Sequence, residues 1–334
     1  MPVSRNGDFQ ILDYTGLFEV TPRVNKLVTS MGFHAQYFGS TTVAQIERVV
    51  ETTDSIVAKQ RGGERTYASS EVATIKNFNI PFFPLDRQIS RQDIQNFRAY
   101  GDPNAPKTVQ QEVDRVMRRL RRSHANLIEK ALITAMFGAS YAPGDTNATY
   151  SWFTEWGVSQ KDADINFTTA TVNPADVIEK EARKHIIANA GDNADEYRIM
   201  ALCSPTWFSG FISHPLIVDA YENYPSDQEP LRRRLGGDMI NRIFTHQGVT
   251  YVEDISGYVT AGDAVIFPEG IEGLIEVVYA PADTFADLNQ PASEAYVWYK
   301  ESDYLREAKV ESEASFLVVN KRPELFVQST GTFA

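Results

Sequence analysis

The sequence predicts an α+β protein, and three observations carry that prediction. A single amphipathic segment from about Lys107 to Phe137 has the period of a very long helix. After Tyr197, short apolar runs are separated by Gly, Pro and Asp, the punctuation of strands. Between Val49 and Phe83 lies a long hairpin-like stretch that is polar at its tip. The 334 residues are enough for a sizeable core, in two domains or one elaborated one.

The outer part of the hairpin, Lys59 to Glu71, has one large apolar side chain, Tyr67. Nearer the base, Phe78, Ile80 and Phe82 are expected on one face and Asn77, Asn79 and Pro81 on the other. Two arms of about 12 residues at about 3.3 Å each would project some 40 Å. An isolated two-stranded ribbon is marginal in water, so the segment is either a loose surface loop or an arm that lies on another chain. Gly62 and Gly63 suit the positive φ angles of a two-residue turn.

The long helix should begin at Thr108, which has capping-box spacing to Gln111, and end before Gly138. Val109, Val113, Val116, Met117, Leu120, Leu127, Ile128, Ala131, Leu132 and Ala135 fall on one stripe. At 1.5 Å per residue it would span about 46 Å, a spine for something extended. His124 lies on the stripe and reads as a satisfied core or interface histidine. Arg115, Arg118, Arg119, Arg121 and Arg122 crowd the same helix, either as a solvated face or as charge contacts within or between subunits.

A second helix is announced by Asn173-Pro174-Ala-Asp176 and should close near Gly191. Between the helices, Tyr150 to Thr171 is rich in aromatics and Thr and is expected to form strands. Tyr197 to Cys203 reads as a strand, Ser204-Pro205 as the start of a short helix. Val249–Val252, Ala264–Phe267 and Leu274–Val278 read as further strands. Lys309 to Val319 should form a strand, turn at Asn320-Lys-Arg-Pro323, and resume at Glu324 to Val327.

Composition narrows function mostly by exclusion. At 43% hydrophobic and 23% charged this is an ordinary globular chain. No apolar run reaches the roughly 18 residues of a membrane span, and Met1 to Asp8 lacks the apolar core of a signal peptide. A net charge of −12 argues against a dedicated nucleic-acid binder. Ile243 to Tyr299 contains no Lys or Arg but nine acids, a region that could attract the arginine-rich helix. The single cysteine, Cys203, excludes an internal disulfide and reads as a buried small hydrophobe. Neither metal-ligand spacing, nor a phosphate loop, nor a nucleophile elbow occurs, so no catalytic, cofactor-binding or metal residue is assigned.

Two stretches carry a family resemblance. Ser55-Ile-Val-Ala-Lys-Gln-Arg61-Gly62-Gly63 is similar to an extended-loop segment, and Val310 to Val327 to a closing strand, turn and strand; Gly273 to Asp283 adds a weaker match. Together with the order of the parts, they resemble the major capsid protein E family of lambda-like tailed phages. The charged Glu64-Arg65 departs from the family's usual tip.

The resemblance implies a Hong Kong 97-like major capsid fold, with an N-terminal arm (1–38), an extended β-hairpin loop (39–90) and a peripheral domain with the spine helix (91–196). An axial domain (197–305) and C-terminal strands returning to the peripheral domain (306–334) would complete it. It further implies a non-enzymatic virion protein without cofactors, assembled in the host cytoplasm into hexamers and pentamers of an icosahedral shell. The enclosed partner would be double-stranded DNA, bound without sequence specificity, and scaffold, portal and decoration proteins would be further partners; no membrane is expected. Inter-subunit contacts would fall on Lys59, Arg61, Gly62, Gly63, Glu64, Arg65 and Tyr67 of the hairpin tip, and inter- or intra-subunit charge contacts on the five helix arginines. An encapsulin-type cargo shell and a hydrolase without a recognisable motif are the alternatives.

Overall fold

The computed structural model describes residues 26–50, 72–95, 108–191, 197–222, 241–271, 273–301 and 307–333. The first described helix, α1 (Leu27–Met31), leads into β1 (His34–Phe38). β2 (Val43–Val50) and β3 (Val72–Asn79) form an antiparallel ribbon with Val43 opposite Asn79 and Val50 opposite Val72. This is the base of the expected hairpin. Its tip, with Lys59, Arg61, Gly62, Gly63, Glu64, Arg65 and Tyr67, lies outside the described residues.

The alternation expected along this ribbon fails at its end. Phe78 and Ile80 are buried, but Phe82 is 42% exposed and Phe83 turns into the core instead. Pro81 has no N–H to donate, and beyond it the chain leaves the ribbon for β4 (Phe82–Pro84), whose facing is set by a different sheet.

After β5 (Arg87–Ser90) comes α2 (Val109–Met136), the expected long helix, about 42 Å at 1.5 Å per residue. Its capping box is present: Gln111 N–H donates to Thr108 Oγ1 at 3.3 Å, and Thr108 N–H to Gln111 Oε1 at 3.1 Å. Gly138 follows with φ +79°, and a Cβ there would lie 2.1 Å from the Phe153 ring, so only glycine fits. Val113, Val116, Leu120, Ala131, Leu132 and Ala135 are buried, while Val109 in the first turn is 45% exposed.

β6 (Ala139–Tyr141) and β7 (Ala148–Ser151) make a small ribbon, and α3 (Trp152–Trp156) then replaces the strand expected there. A strand would hold the two indoles about 13 Å apart. The helical turn brings their centroids to 6.3 Å, so that both cover Phe78. The rest of the expected strand region is reduced to β8 (Lys161–Asp162) and β9 (Ile165–Asn166). Asn173 Oδ1 accepts Ala175 N–H at 3.0 Å and opens α4 (Pro174–Val177). A π-helical turn, Ile178–Arg183, joins it to α5 (Lys184–Asn189).

β10 (Arg198–Cys203), α6 (Pro205–Ser213), α7 (Pro215–Glu222), β11 (Ile243–His246), β12 (Val249–Glu253) and β13 (Asp263–Glu269) follow. The chain closes with β14 (Ile275–Tyr279), β15 (Tyr296–Glu301), β16 (Glu307–Asn320) and β17 (Val327–Thr332). Between the last two, Pro323–Leu325 is a 3₁₀ turn, so the final strand starts at Val327 rather than Glu324. Proline at the first position and the Phe326 N–H bonded back to the Pro323 carbonyl favour the turn.

One sheet has the order β1-β14-β16-β15, with β4 and β5 also paired to β16; the other has the order β11-β12-β10-β13-β17-β8, with β9 on β17. The two C-terminal strands therefore part into different sheets, while both reach the 91–196 segment, β16 packing on α2 and β17 pairing with β8 and β9. β17 joins β13, whose Ala264, Val265, Ile266 and Phe267 are all buried and need a neighbour on that edge. β14, expected with β10 to β13, lies instead between β1 and β16. One core spans α2 and both sheets, with Leu132, Phe267, Tyr279, Phe316 and Phe326 all fully buried in it. A second surrounds Trp207, Phe211 and Tyr251.

Candidate assembly interface

The hairpin base is held to the body by one face only. Ala44 faces Phe78 across the ribbon, Ile46 faces Lys76 and Arg48 faces Thr74, so these six side chains share a face. Its apolar members pack with Trp152, Trp156, Val278, Ala280, Leu317 and Val319. Phe78 meets Trp152 and Tyr150 edge-on, with centroids at 5.1 and 5.6 Å. The indoles are fixed in turn: Trp152 Nε1 donates to Ser140 Oγ and Trp156 Nε1 to the Asn320 carbonyl, both at 2.9 Å.

Toward the tip the seat becomes charged. Arg48 donates to Glu324 at 2.9 Å and to the Trp156 carbonyl at 3.3 Å, with its guanidinium 5.7 Å from the Trp156 ring. Lys76 pairs with Glu155 at 2.9 Å and lies 5.9 Å from the same ring. The opposite face of the ribbon carries Ile75, 56% exposed, and Val43, 42% exposed. The sequence named the tip and missed this seat; the aromatic pair four residues apart at Trp152 and Trp156 was its available signal.

On the spine helix, Arg118, Arg119 and Arg121 are exposed, and Arg115 and Arg122 are half-buried. Arg115 reaches Glu112 at 3.7 Å. Among the described residues, Arg118, Arg119, Arg121 and Arg122 have no ion-pair partner in their own chain. Several members of the acidic stretch are occupied elsewhere: Glu253 binds Arg242 at 2.5 and 2.7 Å, Glu276 pairs with Lys321, and Asp263 accepts from Thr330. Within the described chain, then, this stretch does not neutralise the spine.

His124 is buried as expected of a satisfied core residue, its Nε2 3.0 Å from Ser312 Oγ, and burial pulls its pKa below the usual histidine value. Ser312 Oγ donates onward to the Leu85 carbonyl, which assigns the proton between them to His124 Nε2. Glu129 is the functional-looking residue that sequence reasoning missed. It is fully buried and both its oxygens face α1. An acid three residues before Leu132, on the apolar side of the helix, was the signal. Cys203 is fully buried, and burial, helped by Glu253, pushes its thiol well above the usual range, as befits a packing residue rather than a nucleophile.

The family described as Phage major capsid protein E matches residues 14–330. The chain is 30% identical over 346 residues to the major capsid protein of Pseudomonas phage KPP10, covering 97% of each protein. It superposes on a chain of the bacteriophage PhiM1 mature capsid with a TM-score of 0.60 at 15% identity, covering 97% of this chain and 93% of that one. The capsid of Cyanophage Pam1 gives a TM-score of 0.58 at 13% identity, over 96% and 95% of the two chains. That of Cyanophage P-SCSP1u gives 0.58 at 11% identity, over 97% and 93%. At these identities the structural likeness shows a shared fold.

Proposed function

The chain belongs to the phage major capsid protein E family, and from that premise we propose that its copies assemble as hexamers and pentamers into an icosahedral shell around double-stranded DNA. It is a structural protein of the virion, with the α+β Hong Kong 97-type capsid fold. Its functional sites are surfaces that meet other copies, and it carries no catalytic role in this reading. In that scheme residues 1–38 are an arm, 39–90 the extended loop, 91–196 the peripheral unit with the spine, and 197–305 the axial unit. Scaffold, portal and decoration proteins would meet the assembled shell.

The observation that carries this reading is the one-sided hairpin base. A ribbon clamped by Phe78, Arg48 and Lys76 on one face, with Ile75 and Val43 bare on the other, is oriented by its own body and left for a neighbour to complete. Arg118, Arg119, Arg121 and Arg122, which have no ion-pair partner among the described residues, support the same reading, because charge free on a long helix suits contacts made on assembly. Expression followed by sedimentation and negative-stain microscopy tests it. Closed megadalton particles are expected, and nucleic acid inside those from infected cells; a protein that stays monomeric under all assembly conditions would sink the proposal. Replacing Lys59 to Glu71 by an Asn-Gly turn should leave a folded subunit that makes no shells.

A further inference from the structure

Phe285 is the most exposed large apolar side chain among the described residues, at 97%, and Leu288 beside it is 57% exposed. They do not sit on a loose loop end. Thr284 Oγ1 donates to Asp287 Oδ2, Asp287 N–H returns to the Thr284 carbonyl at 3.2 Å, and Gln290 N–H donates to the Asp287 carbonyl at 3.1 Å. Both flanks are tied to the body: Ala280 N–H donates to the Ser315 carbonyl at 2.9 Å, Asp283 N–H to Glu313 at 3.2 Å, and Ala292 N–H to the Gly39 carbonyl at 2.9 Å. A turn this constrained presents its ring at a defined place, and the ordering entropy of the contact is largely met before any partner arrives.

The same chain offers a hole for it. A cavity of about 330 Å³ lies where α2 starts, lined by apolar Ile89, Ile94 and Val109 and also by charged Arg91, Glu301 and Glu307. Val109, on the apolar stripe of α2, and Tyr299, whose hydroxyl donates to Glu301 at 2.6 Å, both line it and are 45% and 36% exposed. The knob and the hole lie at opposite ends of one ladder. Glu313, opposite Tyr296 on β15, holds the knob's turn, while Ala308, opposite Glu301, lines the hole. Five strand residues, about 17 Å, separate the two ends.

We infer that the Phe285 turn of one copy docks into the cavity between β5, β15 and the start of α2 on a neighbouring copy. The inference rests on the shell reading above and names one contact within it. Knob and hole are different surfaces of one chain, so they can pair head to tail, which closes a ring or continues around a shell, or reciprocally across a two-fold axis. One aromatic buries about 150–250 Å², well below the roughly 800 Å² per partner of a standard interface, so it acts with other contacts and sets register.

The test places p-benzoylphenylalanine at position 285 and irradiates assembled particles. Expected are covalent dimers whose linked peptides contain Ile94, Val109 or Tyr299. Adducts that map elsewhere, or intact particles giving none, would overturn the inference while leaving the shell reading standing; a parent protein that never assembles removes both. As a second arm, Phe285→Ser should lower particle yield at least tenfold with the thermal unfolding of the subunit unchanged. Full yield from this variant also overturns the inference.

Discussion

The Glu129 carboxylate, buried within α2, accepts the backbone N–H of Val28 at 2.6 Å from 101 residues away in the sequence. Its second oxygen takes Thr29 N–H at 3.0 Å and the Thr29 hydroxyl at 2.6 Å. A five-residue helix has few bonds of its own, so an acid at its N-terminal N–H groups does much to hold α1, and the chain leading from it into β1, on the spine.

Glu129→Ala leaves those donors without an acceptor in a dry site. The expected loss is about 3 kcal/mol, from about 1–3 kcal/mol for each stranded group. Glu129→Gln retains one acceptor and should lose less. Urea unfolding of the subunit measures both, and an alanine variant with the parent's midpoint would show that the clamp contributes nothing.

Phe78→Ala opens a cavity beside Trp152, Trp156 and Tyr150. Truncating a buried Phe costs about 3–5 kcal/mol when the whole protein bears it. Here the ribbon can detach alone. Amide exchange of β2 and β3 should therefore speed up while that of α2 stays slow; unchanged protection in the ribbon would mean that Arg48 and Lys76 hold it without the aromatic seat.

Changing Arg118, Arg119 and Arg122 together to Gln should lower the salt concentration or temperature at which particles fall apart. Each exposed pair is weak, but the change repeats in every subunit of a shell. Particle dissociation followed by light scattering checks this. Shells of parental stability that retain DNA poorly would place this helix face toward the genome.

His124 makes stability depend on pH in a definite direction. Its folded-state pKa is lowered by burial from the usual 6.5, so below that value the unfolded chain binds a proton that the folded one does not. The stabilising contribution is full above about pH 6.5 and declines as pH falls toward the folded value. His34 and His246 are lowered in the same direction, with burial the main cause in each. His124→Gln should thus flatten part, not all, of the fall in melting temperature between pH 7 and 5. A slope identical to the parent's would remove His124 from the account.

Much of this protein was legible where structure depends on neighbours in sequence. Thr108, Gln111 and Gly138 mark the ends of α2 because caps are short-range hydrogen bonds, and Asn173 and Ser204 start their helices for the same reason. The five arginines were visible as a cluster because they share one helix; that four lack partners in their own described chain required knowing what surrounds them. Family-like stretches at Ser55 to Gly63 and Val310 to Val327, with a weaker one at Gly273 to Asp283, pointed to the right capsid family.

What the tertiary structure alone decided depends on partners far along the chain. Phe82 and Phe83 exchange roles because β4 pairs with β16, more than two hundred residues later, and not with β2. Trp152 to Trp156 coil into a helical turn because both indoles must cover one phenylalanine. β16 and β17 separate into two sheets although only a short turn divides them, and Glu129 acquires its purpose only from Val28 and Thr29. Local hydrogen bonding and periodicity are written into neighbouring residues, whereas sheet order, the facing of a short strand and the satisfaction of a buried charge arise only when distant segments share a core.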